Sequence, residues 1–452
     1  MDIFAPAALV VLTLIGLAAA VVTYRWGLFR GIGVAAVCSL LLPTWLKATA
    51  FGISADLRVC VSIAAIFAAT LFRPQYLFNR LVLADILIAF LCVWQAFSEW
   101  NATGSAVEPF LLSYGFWILP YLVGRCSARS VDDLRWLGYC VIGVCGVFAI
   151  AGLVENTVGT DLFETVFGTK PGLQFHTKKA MRWGFIRCEG PYTHPIFFGT
   201  VNMLLLPWSV WLASLTTEKR AFAVAGTGSA VVATVNSISR GPALGVLIAF
   251  LTATLVRFRK TSIALTTIGF LGAIVLLARP EYLKDATTWF AEASGERERP
   301  VAFDGELQEN SSSLSRLLIV EHYWKSVTHA GIIGYGMTAT DMFPPNVPHI
   351  PFDQVTRKQF PIVDNTYVLL ALRGGWLLCL GFVLLLVTAM FQFYGLEKQE
   401  PSLKVLCRMM IGAMCAFALV VFTVYPDFDF MFVFLWTVGI SSIRLEQDDA
   451  TQ

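Results

Sequence analysis

Charge is what this chain has least of. Only 14% of its 452 residues are Asp, Glu, Lys or Arg, against roughly a quarter in soluble domains, while 56% are hydrophobic and the mean hydropathy is +0.67. That shortage excludes a water-soluble globular protein. The formal net charge of +2 gives no reason to expect a nucleic-acid partner. The spacings of common metal and nucleotide sites are also missing. The ten cysteines contain no CxxC pair, the histidines no HExxH, and the chain no GxxxxGK[ST] loop. No metal and no cofactor is expected on those grounds, and ATP-driven transport has no motif behind it. Cys38, Cys92, Cys140, Cys145, Cys379 and Cys415 lie inside apolar runs, where cysteine behaves as a small hydrophobe. The first apolar run, 7–22, has no basic stretch before it and no convincing cleavage site, and reads as a retained span.

What is present is a succession of apolar runs near the ~20 residues needed to cross a bilayer. They predict spans at about 5–24, 31–48, 58–72, 81–98, 106–124, 136–155, 195–215, 221–238, 241–256, 261–279, 375–394, 408–425 and 429–443. The fold class is therefore an all-α polytopic membrane protein of about 12–14 transmembrane helices. Basic residues set its orientation. One set of short loops carries Arg25 and Arg30, Arg73 and Arg80, Arg125, Arg129 and Arg135, Lys219 and Arg220, Arg257, Arg259 and Lys260, Lys398, Lys404 and Arg408, and Arg444. The opposite short loops hold only Lys47 and Arg58, so the first set is cytoplasmic. The organisation expected is N-terminal spans over 1–155, an outer loop over 156–194, central spans over 195–279, a large outer loop with short helices over 280–364, C-terminal spans over 365–443 and a tail over 444–452. The large loop lies between the tenth and eleventh spans.

Charged groups near a membrane are costly, so their clusters are functional candidates. Four fall on the outer side. In the first, Met181 to Pro195, Arg182 and Arg187 precede Gly190-Pro191-Tyr192-Thr193-His194. Two readings fit: an Arg187–Glu189 salt bridge with an interfacial aromatic anchor, or a cationic wall for an anionic substrate. In the second, Asn236-Ser237-Ile238-Ser239-Arg240-Gly241-Pro242, an Arg sits at a span junction. Snorkelling to lipid phosphate is the simple reading, but small polar neighbours and a helix-breaking Gly-Pro favour a cavity. In the third, Ser315 is placed to cap a helix with apolar positions Leu317, Val320 and Trp324. Arg316 would then occupy the first turn, where the helix dipole disfavours a cation. It suggests an anionic partner, with pairing to Glu321 as the alternative. In the fourth, Asp364-Asn365-Thr366-Tyr367 leads into Leu372-Arg373-Gly374-Gly375. Asp364 suits an N-cap, a general base, or both. Elsewhere, Asp85 is placed to pair with Arg80, and Asp427 and Asp429 read as an ordinary polar turn or, less simply, as substrate ligands. The charges at 292–299 read as solvated loop.

NSxSRGP, SRxxxxxxYW, the turn Gly334-Tyr335-Gly336-Met337 and DNTYxxxxLRGG occur in that order, and RxxGPYxHP precedes the seventh span. In these the sequence resembles the O-antigen ligase and polymerase superfamily of bacterial surface-polysaccharide assembly, over roughly residues 180–395. The resemblance implies a metal-independent, inverting glycosyltransferase of GT-C type in the inner membrane, working on the periplasmic face. Its donor and acceptor would be glycans linked to undecaprenyl diphosphate, in contact with membrane lipids, with a chain-length regulator and a flippase as partners. Arg240 and Arg316 fall where the family's two functional arginines lie, and guanidinium groups suit a leaving diphosphate. Ligases of the family carry His-Asn where this chain has Asp364-Asn365, which favours polymerisation over ligation and Asp364 as base, with His194 in reserve. The site expected is thus Asp364, Arg240 and Arg316 for catalysis, with Arg187, Arg182, Tyr192, His194, Asn365, Tyr367 and Ser239 binding substrate. The rival readings are an O-antigen ligase, a transporter of lipid-linked sugars, and a scaffolding protein. Transport would call for charges along a mid-membrane path, whereas these sit at the outer boundary.

Overall fold

The computed structural model describes residues 6–50, 53–74, 81–168, 181–182, 184–215, 218–255, 299–303, 306–310, 312–342, 345–348 and 362–445. Apart from 261–279, which lies outside them, every expected span overlaps a helix. Six helices are long and apolar enough to cross a membrane: Leu83–Thr103, Val107–Arg125, Val131–Val158, Pro195–Ser214, Thr366–Gln399 and Pro401–Thr423. Shorter apolar helices at Leu28–Ser39, Leu57–Phe72 and Phe428–Ser441 complete the bundle with Pro6–Trp26, Arg220–Asn236 and Arg240–Leu255. Three small antiparallel hairpins are the only strands among the described residues.

Burial sorts the helices into a centre and a rim. Pro195–Ser214 is the axis, 89% of its apolar window being buried in protein. Phe428–Ser441 is buried along nearly its whole length beside it. Around them, the rim helices turn Leu14, Leu17, Phe67, Leu71, Ile150, Leu384 and Phe391 outward. Apolar side chains exposed in this number suit lipid and not water, so the chain is a multi-pass membrane protein. Close approach is set by glycine. Gly124 abuts the Trp436 backbone and Gly439 the Tyr121 carbonyl, so neither tolerates a Cβ.

Four sequence expectations change. The apolar run 31–48 yields a helix only at Leu28–Ser39. Its remainder turns at Pro43, donates Thr44 N to the Pro191 carbonyl (3.1 Å), and buries Leu40, Leu42 and Trp45 in the core. An apolar run looks the same in sequence whether lipid or protein covers it. Asp85 pairs with Arg125 and accepts from the Tyr121 hydroxyl (2.6 Å); Arg80 lies outside the described residues. Gly241-Pro242 does not break a helix but lies in the first turn of Arg240–Leu255, where a missing N–H costs nothing. Finally, the helix bearing Arg316 begins at Ser312, so Ser315 is inside it and Arg316 opens its second turn. Its packed face is Ile319, Tyr323 and Val327, against Val363, Val368, Leu369 and Leu372. Trp324 is on the rim, its ring 6.0 Å from that of Trp376.

The last transmembrane feature is a break in Thr366–Gln399. Gly374 (φ −128°, ψ 19°) and Gly375 (φ 69°, ψ −172°) leave the helical region. The freed groups are satisfied by the turn 331–336 and by Leu83–Thr103. Tyr335 N donates to Leu372 O (2.8 Å), Gly336 N to Arg373 O (2.9 Å), and Trp376 N to Gly331 O (3.0 Å). Trp94 Nε1 donates to Gly374 O (2.8 Å), and the Ser98 hydroxyl reaches the carbonyls of both Ile333 and Arg373. Buried Glu99 accepts from Met337 N, Thr338 N and the Thr338 hydroxyl. The GYGM and LRGG motifs thus form one interlocked joint inside the protein, which fixes the short half-helix Thr366–Arg373.

Candidate active site

The loop Arg187–His194 is held from below by a buried cation. Arg58, 0% exposed, lies 3.1 Å from an Asp56 oxygen and 3.6 Å from Asp429, donates to the Asp429 carbonyl (3.2 Å), and is covered by the rings of Tyr192, Phe428 and Phe432 at 5.4–5.6 Å. Asp429 in turn accepts from Thr193 N and the Thr193 hydroxyl, both at 2.8 Å. Glu155 accepts from the backbone N–H of Glu189 and Gly190, and Cys188 N donates to Asn236 O (3.0 Å). Tyr192 is itself fully buried between Phe148, Phe198 and Arg58, in the support and not on an open surface. His194 caps Pro195–Ser214, its Nδ1 accepting from Ile196 N (3.2 Å), with Pro195 at the first helical position.

This loop meets the turn between Arg220–Asn236 and Arg240–Leu255. Arg187 donates to the Ser239 hydroxyl (2.8 Å) and to Ser237 O (3.3 Å). Ile238 has φ 44°, left-handed for a β-branched residue, which costs about 1–3 kcal/mol. Strain of that size persists where surrounding structure fixes the backbone, and here it brings Ser239 and Arg240 beside Arg187. Arg187 and the first residue of Arg240–Leu255 are therefore neighbours at the end of the bundle away from the basic loops.

The other wall is the start of Thr366–Gln399. Asn365, fully buried, caps it through Oδ1 to Val368 N (3.1 Å); its Nδ2 is buried with no hydrogen-bond partner among the described residues. Thr366 donates to Val424 O (2.7 Å) and the Tyr367 hydroxyl to Ala418 O (2.8 Å), tying this wall to the segment 418–427. Gly241 faces Thr423 and Val420 on the same segment, and Tyr425 stacks edge-on against Phe197, next to His194. Asp364, half-buried, lies within electrostatic reach of Tyr425, as do Asp427 and Asp429.

The structure joins Arg187 to Ser239, and it packs the start of the Arg240 helix, Thr366, Tyr367 and Phe197, whose ring lies beside His194, on segment 418–427, where Asp364 acts on Tyr425. Arg316 and Arg182 are placed only by backbone, on the Ser312–Ala330 helix and on the 181–182 strand; their side chains lie outside the described residues. Residues the sequence reading passed over are Asp56, Arg58, Glu155 and Tyr425. Arg58 had one signal, being one of two basic residues in loops otherwise free of them. Asp429 is neither an ordinary turn residue nor exposed to substrate; it is buried under Arg58.

Burial, then the adjacent Asp429, raises the Asp427 carboxyl well above its ordinary range. Such a raised group favours the folded state fully below its unfolded value, near 3.8, and that contribution is lost as pH rises through the folded value. Asp427→Asn retains an acceptor for Asp429 N (2.9 Å) while removing the titration. The variant should unfold at a higher temperature than the parent at about pH 8, and at the same temperature near about pH 4. A gain of equal size at both pH values would refute this assignment.

Residues 225–383 match the family model described as O-antigen ligase. The match covers Ser239, Arg240, Arg316, the interlocked GYGM and LRGG motifs, and Asp364 to Tyr367, but not the Arg187–His194 loop. It supports the O-antigen ligase and polymerase superfamily that the motifs resemble. No curated protein matches the chain.

Proposed function

From an O-antigen ligase-like segment at residues 225–383, we propose that this membrane protein is a glycosyltransferase. It joins undecaprenyl-diphosphate-linked repeat units into a surface polysaccharide on the periplasmic face of a bacterial inner membrane. The observation that carries this reading is that the turn joining Arg187 to Ser239, next to Arg240, and the helix entry after Asp364 both pack on segment 418–427, at the end of the bundle opposite the basic loops.

The step balances without a redox partner. The acceptor hydroxyl oxygen bonds to the donor's anomeric carbon from the face opposite the diphosphate. The carbon–oxygen bond to phosphate breaks, its electron pair leaves with the diphosphate, and the hydroxyl proton passes to Asp364. Arg187, Arg240 and, from its helix, Arg316 oppose the charge that develops on the departing phosphate, a form of stabilisation that needs no metal. Inversion at the anomeric carbon follows from direct displacement.

The test uses purified protein in nanodiscs, a synthetic undecaprenyl-diphosphate repeat unit, and EDTA throughout. Wild type should give a ladder of products. Arg240→Ala and Asp364→Ala should each lose about 10²–10³-fold in rate, and Arg316→Lys at least roughly tenfold if its contact is bidentate. Wild-type polymer length from Asp364→Ala would remove it as the base. A second reading has its own support in the ligase description of the matched family. Single transfer to an added lipid A core, with no ladder, would select it.

A further inference from the structure

Tyr425 lies on the segment, 418–427, against which both walls of this site pack. It packs against the cluster holding Val363 and Val368, which flank Asp364 and Asn365, and also against the main core. Its neighbour Val424 is tied to Thr366, Thr423 lies against the helix that Arg240 opens, and its ring meets Phe197 at 5.5 Å and 86°. The side chain is half-buried, and its hydroxyl makes no hydrogen bond among the described residues. A phenol held on three sides with an open, unused hydroxyl is built to meet a ligand.

The charge around it says which ligand. Asp364, Asp427 and Asp429 all act on Tyr425 and, with burial first, raise its pKa, so the hydroxyl keeps its proton and remains a donor. Asp427 is held protonated and Asp429 is neutralised by Arg58, so Asp364 is the carboxyl left on this wall, and a diphosphate would be drawn instead to Arg187 and Arg240. A neutral sugar suits a wall where the Asp364 carboxyl accepts from hydroxyls and a phenol both donates and accepts. We infer that Tyr425 is the binding residue for the acceptor sugar, holding through its hydroxyl the saccharide that Asp364 activates. The inference rests on the glycosyltransferase reading for the role of acceptor, but not for the binding of a phosphate-free saccharide.

That difference allows a test which separates the two. The probe is the repeat-unit oligosaccharide with lipid and diphosphate removed, titrated calorimetrically into the full-length protein in nanodiscs. Tyr425→Phe keeps the ring on Phe197 and removes a hydroxyl that has no protein partner, so its thermal unfolding should match the parent. Its dissociation constant for the saccharide should rise roughly 3–10-fold, the effect of one lost hydrogen bond. Equal affinity in parent and variant, or no binding by the parent at millimolar saccharide, would overturn the inference. Saccharide binding that depends on Tyr425, in a protein that transfers to no acceptor, would uphold the subsite and sink the glycosyltransferase reading.

Discussion

Replacing Arg58 with Met is expected to lower the unfolding temperature in detergent by about 5–10 °C, from a loss of roughly 3–5 kcal/mol. The size follows from what the substitution leaves behind. Arg58 is 0% exposed, and Asp56 and Asp429 both turn oxygens to it. Without the cation, two carboxyl groups remain in a site closed by Tyr192, Phe428 and Phe432. Removing one member of such a group is worse than removing the group, because the survivor is still desolvated. The double variant Arg58→Met/Asp56→Asn should therefore regain a good part of the loss, since Asn can still cap Leu57–Phe72 as Asp56 does through Arg58 N (2.7 Å). Activity should fall with stability, because Asp429 is also what holds Thr193, one residue from His194. If the single variant unfolds within a degree of the parent, or the double variant is worse than the single, Arg58 does not hold this loop.

Arg58 also shows where reading the sequence stops. Spans were legible because lipid imposes one condition, a long apolar run, and orientation was legible because Arg and Lys alternate between loops. Exact cap positions were not legible: Asp364 suits an N-cap in sequence, yet Asn365, one residue on, caps Thr366–Gln399, and Ser315 lies inside the helix that begins at Ser312, because runs of adjacent polar residues offer several caps a residue apart. Nor was pairing across the bundle. Asp85 has Arg80 five residues away, yet its partner is Arg125, forty residues on. Arg58 and Asp429 are 371 residues apart. Buried ion pairs form between whichever charges packing brings together, and a chain with few charges offers several equally plausible partners. The apolar face of Ser312–Ala330 fails for a related reason. Leu317, Val320 and Trp324 make as good a stripe in sequence as Ile319, Tyr323 and Val327; the half-helix at Thr366–Arg373 takes the second set, with Val320 at its edge and Trp324 on the rim. For the site itself, motif order pointed to residues 236–240 and 364–367, and both flank segment 418–427. Tyr425 carries no motif, and only its position between those segments marks it.

Gly375→Ala is the second large effect, a loss of more than about 4 kcal/mol and with it all ordered joint geometry. Two costs act at once. At φ 69° an added Cβ is strained in any surroundings. Here it would also overlap the Ile332 carbonyl, a backbone group that cannot swing aside as a flexible side chain would. Gly334→Ala meets the joint from the other side, with φ 85° and its Cβ 2.5 Å from Gly375 N. Both variants push the turn 331–336 off the broken helix, taking the Tyr335 and Gly336 donors from the carbonyls of Leu372 and Arg373 in a place where water cannot replace them. Because the two act on one interface, the double variant should be little worse than the worse single, a departure from additivity of several kcal/mol. Gly395→Ala, on the same helix with nothing within 4 Å of its Cβ, should be silent or gain up to about 1 kcal/mol from helix propensity. Thermal unfolding of the four proteins by size-exclusion after heating decides it. If Gly375→Ala matches Gly395→Ala, the break is an accident of helix geometry. If it collapses and the double variant adds nothing, the joint is what carries Asp364 and the Arg316 helix on a single rigid support.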